Sequence, residues 1–192
     1  MPSDKILLAL YASPHEQGHT RALLDSFLEP FLSREDWEVN ILDVYALQAR
    51  PCTDCGYCRK TEGCVYRDLD GLDSLLRQSD ILAVASPVYN YSFPAPMKAV
   101  LDRTQRYFSA RFSLGLRPPV EKHRQAALLL TMGSGEPEGL KFPRFQLERA
   151  FTVMNTTLRG TVCRQNTDRG GGTGEAEEAA ARALALEIMG DV

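Results

Sequence analysis

The sequence is short of the features that mark several large classes of protein. Its charge is close to balanced, with 22 Lys and Arg against 25 Asp and Glu and a net charge of −3. No basic stripe is segregated along it, which argues against nucleic acid or an anionic membrane surface as a partner. No apolar run approaches the roughly 20 residues that span a bilayer. No Lys- or Arg-led leader precedes the first apolar segment, so a cytoplasmic location is expected. GxxxxGK and GxGxxG are both missing, which disfavours nucleoside triphosphates and dinucleotides as ligands of a strand-to-helix turn. Internal repeats are absent. What is present, 192 residues with 44% hydrophobic and 24% charged side chains, suits one soluble α/β domain over residues 1–192 with small-molecule partners.

The stretch that organises the rest runs from Ile6 to Leu28. Ile6, Leu7, Leu8, Ala9, Leu10 and Tyr11 form a continuous apolar run of the kind that fills the middle of a parallel sheet. Ser13, Pro14, His15, Glu16, Gln17, Gly18, His19 and Thr20 follow. They supply hydroxyl donors, a permissive glycine and the free amides of a helix that begins near Thr20. That end of a helix attracts anions, and Ser13 and Thr20 can add side-chain hydrogen bonds, so the loop reads as a cradle for a mononucleotide phosphate. The alternative is a polar turn with a Thr cap, in which His15 and His19 are solvated loop residues. His123, between Lys122 and Arg124, is read as exposed.

Helical spacing of Leu23, Leu24, Phe27, Leu28 and Phe31 predicts a core-facing helix that bends or ends at Pro30. Trp37 to Tyr45 alternates like an edge strand, Leu69 to Leu76 marks a short helix, and Ile81 to Ala85 is a third strand ending at Ser86 and Pro87. A helix follows Pro94 and Pro96, carrying Met97, Val100 and Leu101. Phe112 to Arg124 reads as an irregular connection and Ala126 to Met132 as a fourth strand. A helix over about Phe142 to Met154 is expected to bury Phe145, Leu147, Ala150, Phe151 and Met154. Thr156 to Cys163 supplies a fifth strand, DRGGGTG a flexible break, and EAEEAAARALALEIM a last amphipathic helix. Strands alternating with helices predict a doubly wound parallel sheet with helices on both faces. Right-handed crossovers then bring the Ser13, Ser86 and Gly133 loops to one carboxyl edge, around one cavity.

The second loop places Tyr89, Tyr91 and Phe93 among Pro87, Asn90, Ser92 and Pro94. Flat apolar surface beside polar backbone suits a planar heteroaromatic ring such as a flavin, while a subunit interface or the core is the competing use of those aromatics. Gly133, Ser134 and Gly135 permit close backbone approach, though such turns are common. Cys52, Cys55, Cys58 and Cys64 form C-x2-C-x2-C-x5-C within a loop at about 48–68. Three thiolates from one tight turn and a fourth nearby suit an iron–sulfur centre better than zinc, which two separated pairs usually hold. Reduced thiols or a disulfide formed in air are the other readings. Cys163, alone in a strand, is read as a core residue.

In SPHEQGHT, the cysteine cluster, SPVYNYSFPAPMKAVLDR and the glycine loop after the fourth strand, taken in order, the chain resembles the NADPH-dependent FMN reductase and multimeric flavodoxin superfamily. Within it the likeness is to the iron–sulfur flavoprotein branch. The resemblance implies a flavodoxin-like sheet of order 2-1-3-4-5 and FMN as cofactor. It implies FMN phosphate binding by Ser13, Gly18, His19 and Thr20, with His15 beside them. Pro87, Val88, Tyr89, Asn90, Tyr91 and Ser92 would border the isoalloxazine, and Gly133 to Gly135 would complete the site. It also implies a [4Fe–4S] cluster on the four clustered cysteines and a homodimer or homotetramer. Family members commonly carry a basic residue where His15 stands and Asn where His19 stands, so charge pairing at the phosphate is expected to be weaker and pH-dependent here. The function that follows is an FMN-dependent oxidoreductase moving electrons from NADH or NADPH, or another donor, to a small-molecule or protein acceptor. The flavin would carry the chemistry, and no catalytic side chain is required. A non-enzymatic electron carrier is the alternative.

Overall fold

The computed structural model describes residues 5–169 and 173–192. The glycines of the DRGGGTG break, 170–172, lie outside the described residues. Five strands, β1 (Lys5–Tyr11), β2 (Trp37–Asp43), β3 (Ile81–Pro87), β4 (Arg124–Thr131) and β5 (Thr156–Arg164), form one parallel sheet in the order β2-β1-β3-β4-β5. The central strands are continuous apolar runs because both their faces are covered. Leu8, Leu10, Leu82, Val84, Leu128 and Leu130 pack beneath one helical layer, and Leu7, Ala9, Ile81, Ala83, Ala127 and Leu129 beneath the other. Period two in a strand sends successive side chains to opposite layers, so a run with no polar break can only sit inside the sheet.

Helices α1 (His19–Leu32) and α6 (Glu175–Gly190) cover one face. Helices α2 (Asp70–Gln78), α3 (Ala95–Asp102), α4 (Gln105–Phe112) and α5 (Pro137–Val153) cover the other. Pro30 neither ends nor shortens α1. It lies in the last turn, and Ser33 N–H still reaches the Glu29 carbonyl across it at 3.3 Å.

Two expectations about α5 need correction, and one helix was not foreseen. Helix α5 begins at Pro137, five residues before Phe142, and carries Pro143 inside it. Phe145 is exposed, not buried: it stands two positions from buried Leu147, about 200° around a helix, so both cannot face the sheet. The segment between α3 and residue 112 is a separate helix, α4, whose buried side is made of Arg106, Tyr107, Ser109 and Ala110. A helix buried through an arginine and a serine leaves no apolar stripe to read.

Candidate functional site

The ladder continues past the strand ends. Ala12 N–H donates to the Ala85 carbonyl at 2.8 Å, Val88 N–H to Thr131 at 2.8 Å and Met132 N–H to Arg164 at 2.9 Å. These bonds draw the loops after β1, β3 and β4 together with the chain leaving β5. Between them lies a cavity of about 370 Å³ lined by Ser13, His15, Gln17, Gly18, His19, Thr20, Pro87, Val88, Tyr89, Thr131, Met132, Gly133, Thr167 and Asp168. It opens at the carboxyl edge beside the switch in strand order, where doubly wound sheets hold ligands.

One wall is the start of α1. Gly18 is its N-cap at φ 136°, there is no side-chain cap, and no acidic residue occupies the first turn. The first intrahelical bond runs from Ala22 N–H to the Gly18 carbonyl, so the N–H groups of His19, Thr20 and Arg21 have no partner within the helix. An anion is the natural acceptor for them. Ser13 is buried and accepts a hydrogen bond from His15 N–H at 3.3 Å, which curls the loop back on itself. Thr20 is buried as well, and its hydroxyl pairs with that of Thr131 at 2.7 Å, fastening the start of α1 to the end of β4. Tyr11 donates from its hydroxyl to the His15 carbonyl, and burial raises its pKa.

The second loop is a tight hairpin. Tyr89 and Ser92 exchange both backbone hydrogen bonds at 2.9 Å, and Asn90 and Tyr91 between them have φ of 50° and 59°. Two left-handed residues in a two-residue turn define a type I′ hairpin. Pro87, Val88 and Tyr89 line the cavity, while Asn90, Tyr91 and Ser92 lie at the hairpin tip outside its lining. Of Gly133, Ser134 and Gly135 on the third loop, Gly133 lines it. A Cβ there would stand 2.0 Å from Asp168 Oδ2, so glycine lets the two segments meet. Ser134 and Gly135 turn away toward Asn166, whose N–H reaches the Ser134 carbonyl at 3.4 Å. The sequence reading did not assign Gln17, Thr131, Met132, Thr167 and Asp168. Thr131, a hydroxyl closing an apolar strand, was a usable signal. Thr167 and Asp168 follow the fifth strand and carried none. Their side of the cavity is acidic, so an anionic group belongs at the α1 end.

The cysteines form a second centre, sharing no lining residue with the first. Cys52 and Cys55 are exposed, Cys58 and Cys64 half-buried, and all are free thiols. Among the described residues no three His, Cys, Asp or Glu side chains stand where they could hold one metal ion. All four cysteines nevertheless line one cavity of about 120 Å³, closed by Tyr66, Arg103, Arg106, Phe108 and Ser109. Cys58 donates from Sγ to Ser109 Oγ at 3.3 Å. Cys163 lies in β5, half-buried against the core rather than within it, and burial pushes its thiol up to about 11, which disfavours the reactive thiolate.

A parallel sheet in this order, with helices on both faces, is a flavodoxin-like fold. The chain belongs to the NADPH-dependent FMN reductase family, whose profile matches residues 6–163. Among curated proteins it is similar to an iron–sulfur flavoprotein of Archaeoglobus fulgidus, 31% identical over 132 residues, which are 68% of this chain and 56% of that protein. It is also similar to the iron–sulfur flavoprotein of Methanosarcina thermophila, 28% identical over 109 residues and 56% of each chain. The matches thus span little more than half the length of these relatives. Among solved structures, NAD(P)H:quinone oxidoreductase from Methanothermobacter marburgensis superposes with a TM-score of 0.67 at 19% identity, covering 94% of both chains. That likeness concerns the fold. No helix among the described residues is long and apolar enough to cross a membrane.

Proposed function

We propose that the protein is an FMN-dependent oxidoreductase that accepts reducing equivalents from NADH or NADPH and passes them to a small-molecule or protein acceptor. The observation that carries this reading is the cavity at the switch point. Its α1 end offers unpaired N–H groups, and its opposite walls are the flat surfaces of Pro87 and Tyr89 and the bare backbone of Gly133. Its volume lies within the range of small-molecule sites, and membership of an FMN reductase family supports the choice of ligand. Ser13, Gly18, His19 and Thr20 would hold the phosphate, with His15 alongside. Pro87, Val88 and Tyr89 would border the ring with Gly133 flanking it, while Asn90, Tyr91, Ser92, Ser134 and Gly135 lie outside the cavity lining. FMN, when bound, supplies an electron acceptor able to take a hydride and release electrons singly. The chain's part would be to hold that ring beside Pro87, Val88 and Tyr89.

The four clustered cysteines are proposed as ligands of a [4Fe–4S] cluster. Four thiols lining one cavity, three of them closely spaced in one loop, suit such a centre better than zinc, which two separated pairs usually hold. The names of the curated relatives point the same way. Assembly as a homodimer or homotetramer is supported by exposed Phe108, Phe112 and Phe145 around one groove, the kind of apolar surface that subunits cover.

The test is the visible absorbance spectrum of protein purified without oxygen, recorded before and after NADPH. Flavin bands with a broad shoulder, both bleaching on reduction, are expected. A colourless protein that does not take up added FMN overturns the oxidoreductase reading. Flavin without iron and acid-labile sulfide overturns the cluster alone. Sustained NADH or NADPH oxidation with an added acceptor separates an enzyme from a protein that only relays electrons.

A further inference from the structure

The cysteines sit in a segment, residues 50–68, whose only regular element is a 3-10 turn over Tyr57–Arg59. A stretch of that length without a helix or strand is costly to order and needs an anchor. Both its ends meet one side chain. Arg103, at the end of α3, is 3% exposed. Its Nη1 donates to the Arg50 carbonyl at 2.9 Å and its Nη2 to the Tyr66 carbonyl at 3.0 Å. The same two nitrogens hold the Asp68 carboxylate in a fork, at 3.1 Å and 2.8 Å. Asp68 in turn accepts a hydrogen bond from Arg50 N–H at 2.8 Å. The Tyr66 ring lies near both guanidiniums, 5.2 Å from Arg50 and 5.3 Å from Arg103. Arg103 also lines the cysteine cavity beside Cys64.

We propose that buried Arg103 and the more exposed Asp68 form a clamp that shapes the cysteine cavity before any metal enters, and that Arg103 supplies the fixed positive charge in its wall. Arg103 is a positioning residue: it holds the backbone on either side of the ligands and is not itself a ligand. The planar fork matters, because one guanidinium makes four hydrogen bonds that an ammonium cannot reproduce. A preformed cavity spares the cost of ordering the loop when the centre binds, and partners behind the ligands typically contribute 10–100-fold in metal affinity. The wall charge faces a centre that becomes more negative on reduction, so it favours the reduced form. The clamp stands on the metal-free geometry, whereas its effect on potential rests on the cluster proposed above.

The first test needs no metal. Full-length, metal-free wild type, R103M, R103K and D68N are treated with iodoacetamide under denaturant-free conditions, and each cysteine is followed by mass spectrometry. Cys58 and Cys64 are expected to react faster in D68N than in wild type, whereas in R103M the loss of a positive charge beside Cys64 opposes the gain in access; half-buried Cys163 in β5 is expected to keep its rate, which reports that the sheet is intact. Equal Cys64 rates in wild type and D68N overturn the clamp. D68N remains decisive if R103M also exposes Cys163, since it keeps the guanidinium in place. After anaerobic loading with iron and sulfide, R103M is expected to lose the cluster about tenfold faster on dialysis and to show a lower reduction potential, with R103K keeping the potential but not the retention. An unchanged potential in R103M overturns the charge assignment. Wild type that holds no iron and sulfide defeats the cluster reading while leaving the alkylation result to judge the clamp.

Discussion

Single side chains do much of the joining in this molecule, and Arg124 shows how. It is fully buried and has no acidic partner within its hydrogen-bond set. Its guanidinium donates to the Leu76 carbonyl near the end of α2, to the Met154 carbonyl just past α5 and to the Thr156 hydroxyl. Carbonyls at helix C-termini carry partial negative charge, so two helix ends share one cation. Burial pulls its pKa down to about 10, which leaves it charged at neutral pH. Replacing it by Met orphans those carbonyls, and Arg124→Met is expected to cost about 3 kcal/mol of stability by urea unfolding. In the cradle, His15 and His19 are exposed at the α1 end of the cavity. Arg in place of His15 is expected to tighten FMN severalfold in a fluorescence titration, with the gain shrinking as salt is added. Much of the cavity lining was legible at this scale, because a hydroxyl, a glycine and a helix start announce themselves locally. Asp168 was not: what brings it to Gly133 is the pairing of β4 with β5, a contact between distant segments.

Among the elements, the hairpin after β3 holds a bulky residue, Tyr91, in the left-handed region. Glycine is the residue this turn position favours, and relief of that strain is worth about 1 kcal/mol. Tyr91→Gly is therefore expected to raise the thermal midpoint. Because the tip lies outside the cavity lining, FMN affinity is expected to stay unchanged in the same variant, so the two measurements separate strain from contact. The cysteine loop responds to acid through its clamp. Hydrogen bonds from Arg103 outweigh burial and hold Asp68 below the usual carboxylate range. Its stabilising contribution is fully present above the ordinary value of about 3.9 and is lost as pH falls through the lower folded value. Exchange protection at the Arg50 amide is expected to follow that course in wild type and to be flat with pH in D68N. Strands and the helices α1, α2, α3 and α6 were readable from periodicity. Helix α4 was not, since its inner side is Arg106, Tyr107 and Ser109, and polar burial leaves no stripe.

Across the whole molecule the two centres are separate, and the Ser13 cavity and the cysteine cavity have no lining residue in common. Serine at Cys52, Cys55, Cys58 and Cys64 together is expected to remove iron while leaving FMN affinity within about twofold, because distant sites without shared partners act independently. The same separation explains what sequence could show of the architecture. Alternating strands and helices imposed the layers, whereas the meeting of residues 50 and 68 on Arg103 depends on side chains that look like ordinary surface charges in a linear reading. The bonds that carry the ladder beyond the strands, from Ala12 to Ala85, Val88 to Thr131 and Met132 to Arg164, also fix when the cradle can exist. Its walls belong to loops spread from residue 13 to residue 168, and they come into place only after the last strand has docked. During refolding, quenching of added flavin would then rise with the slowest phase of sheet assembly, making the ligand a clock for completion of the chain.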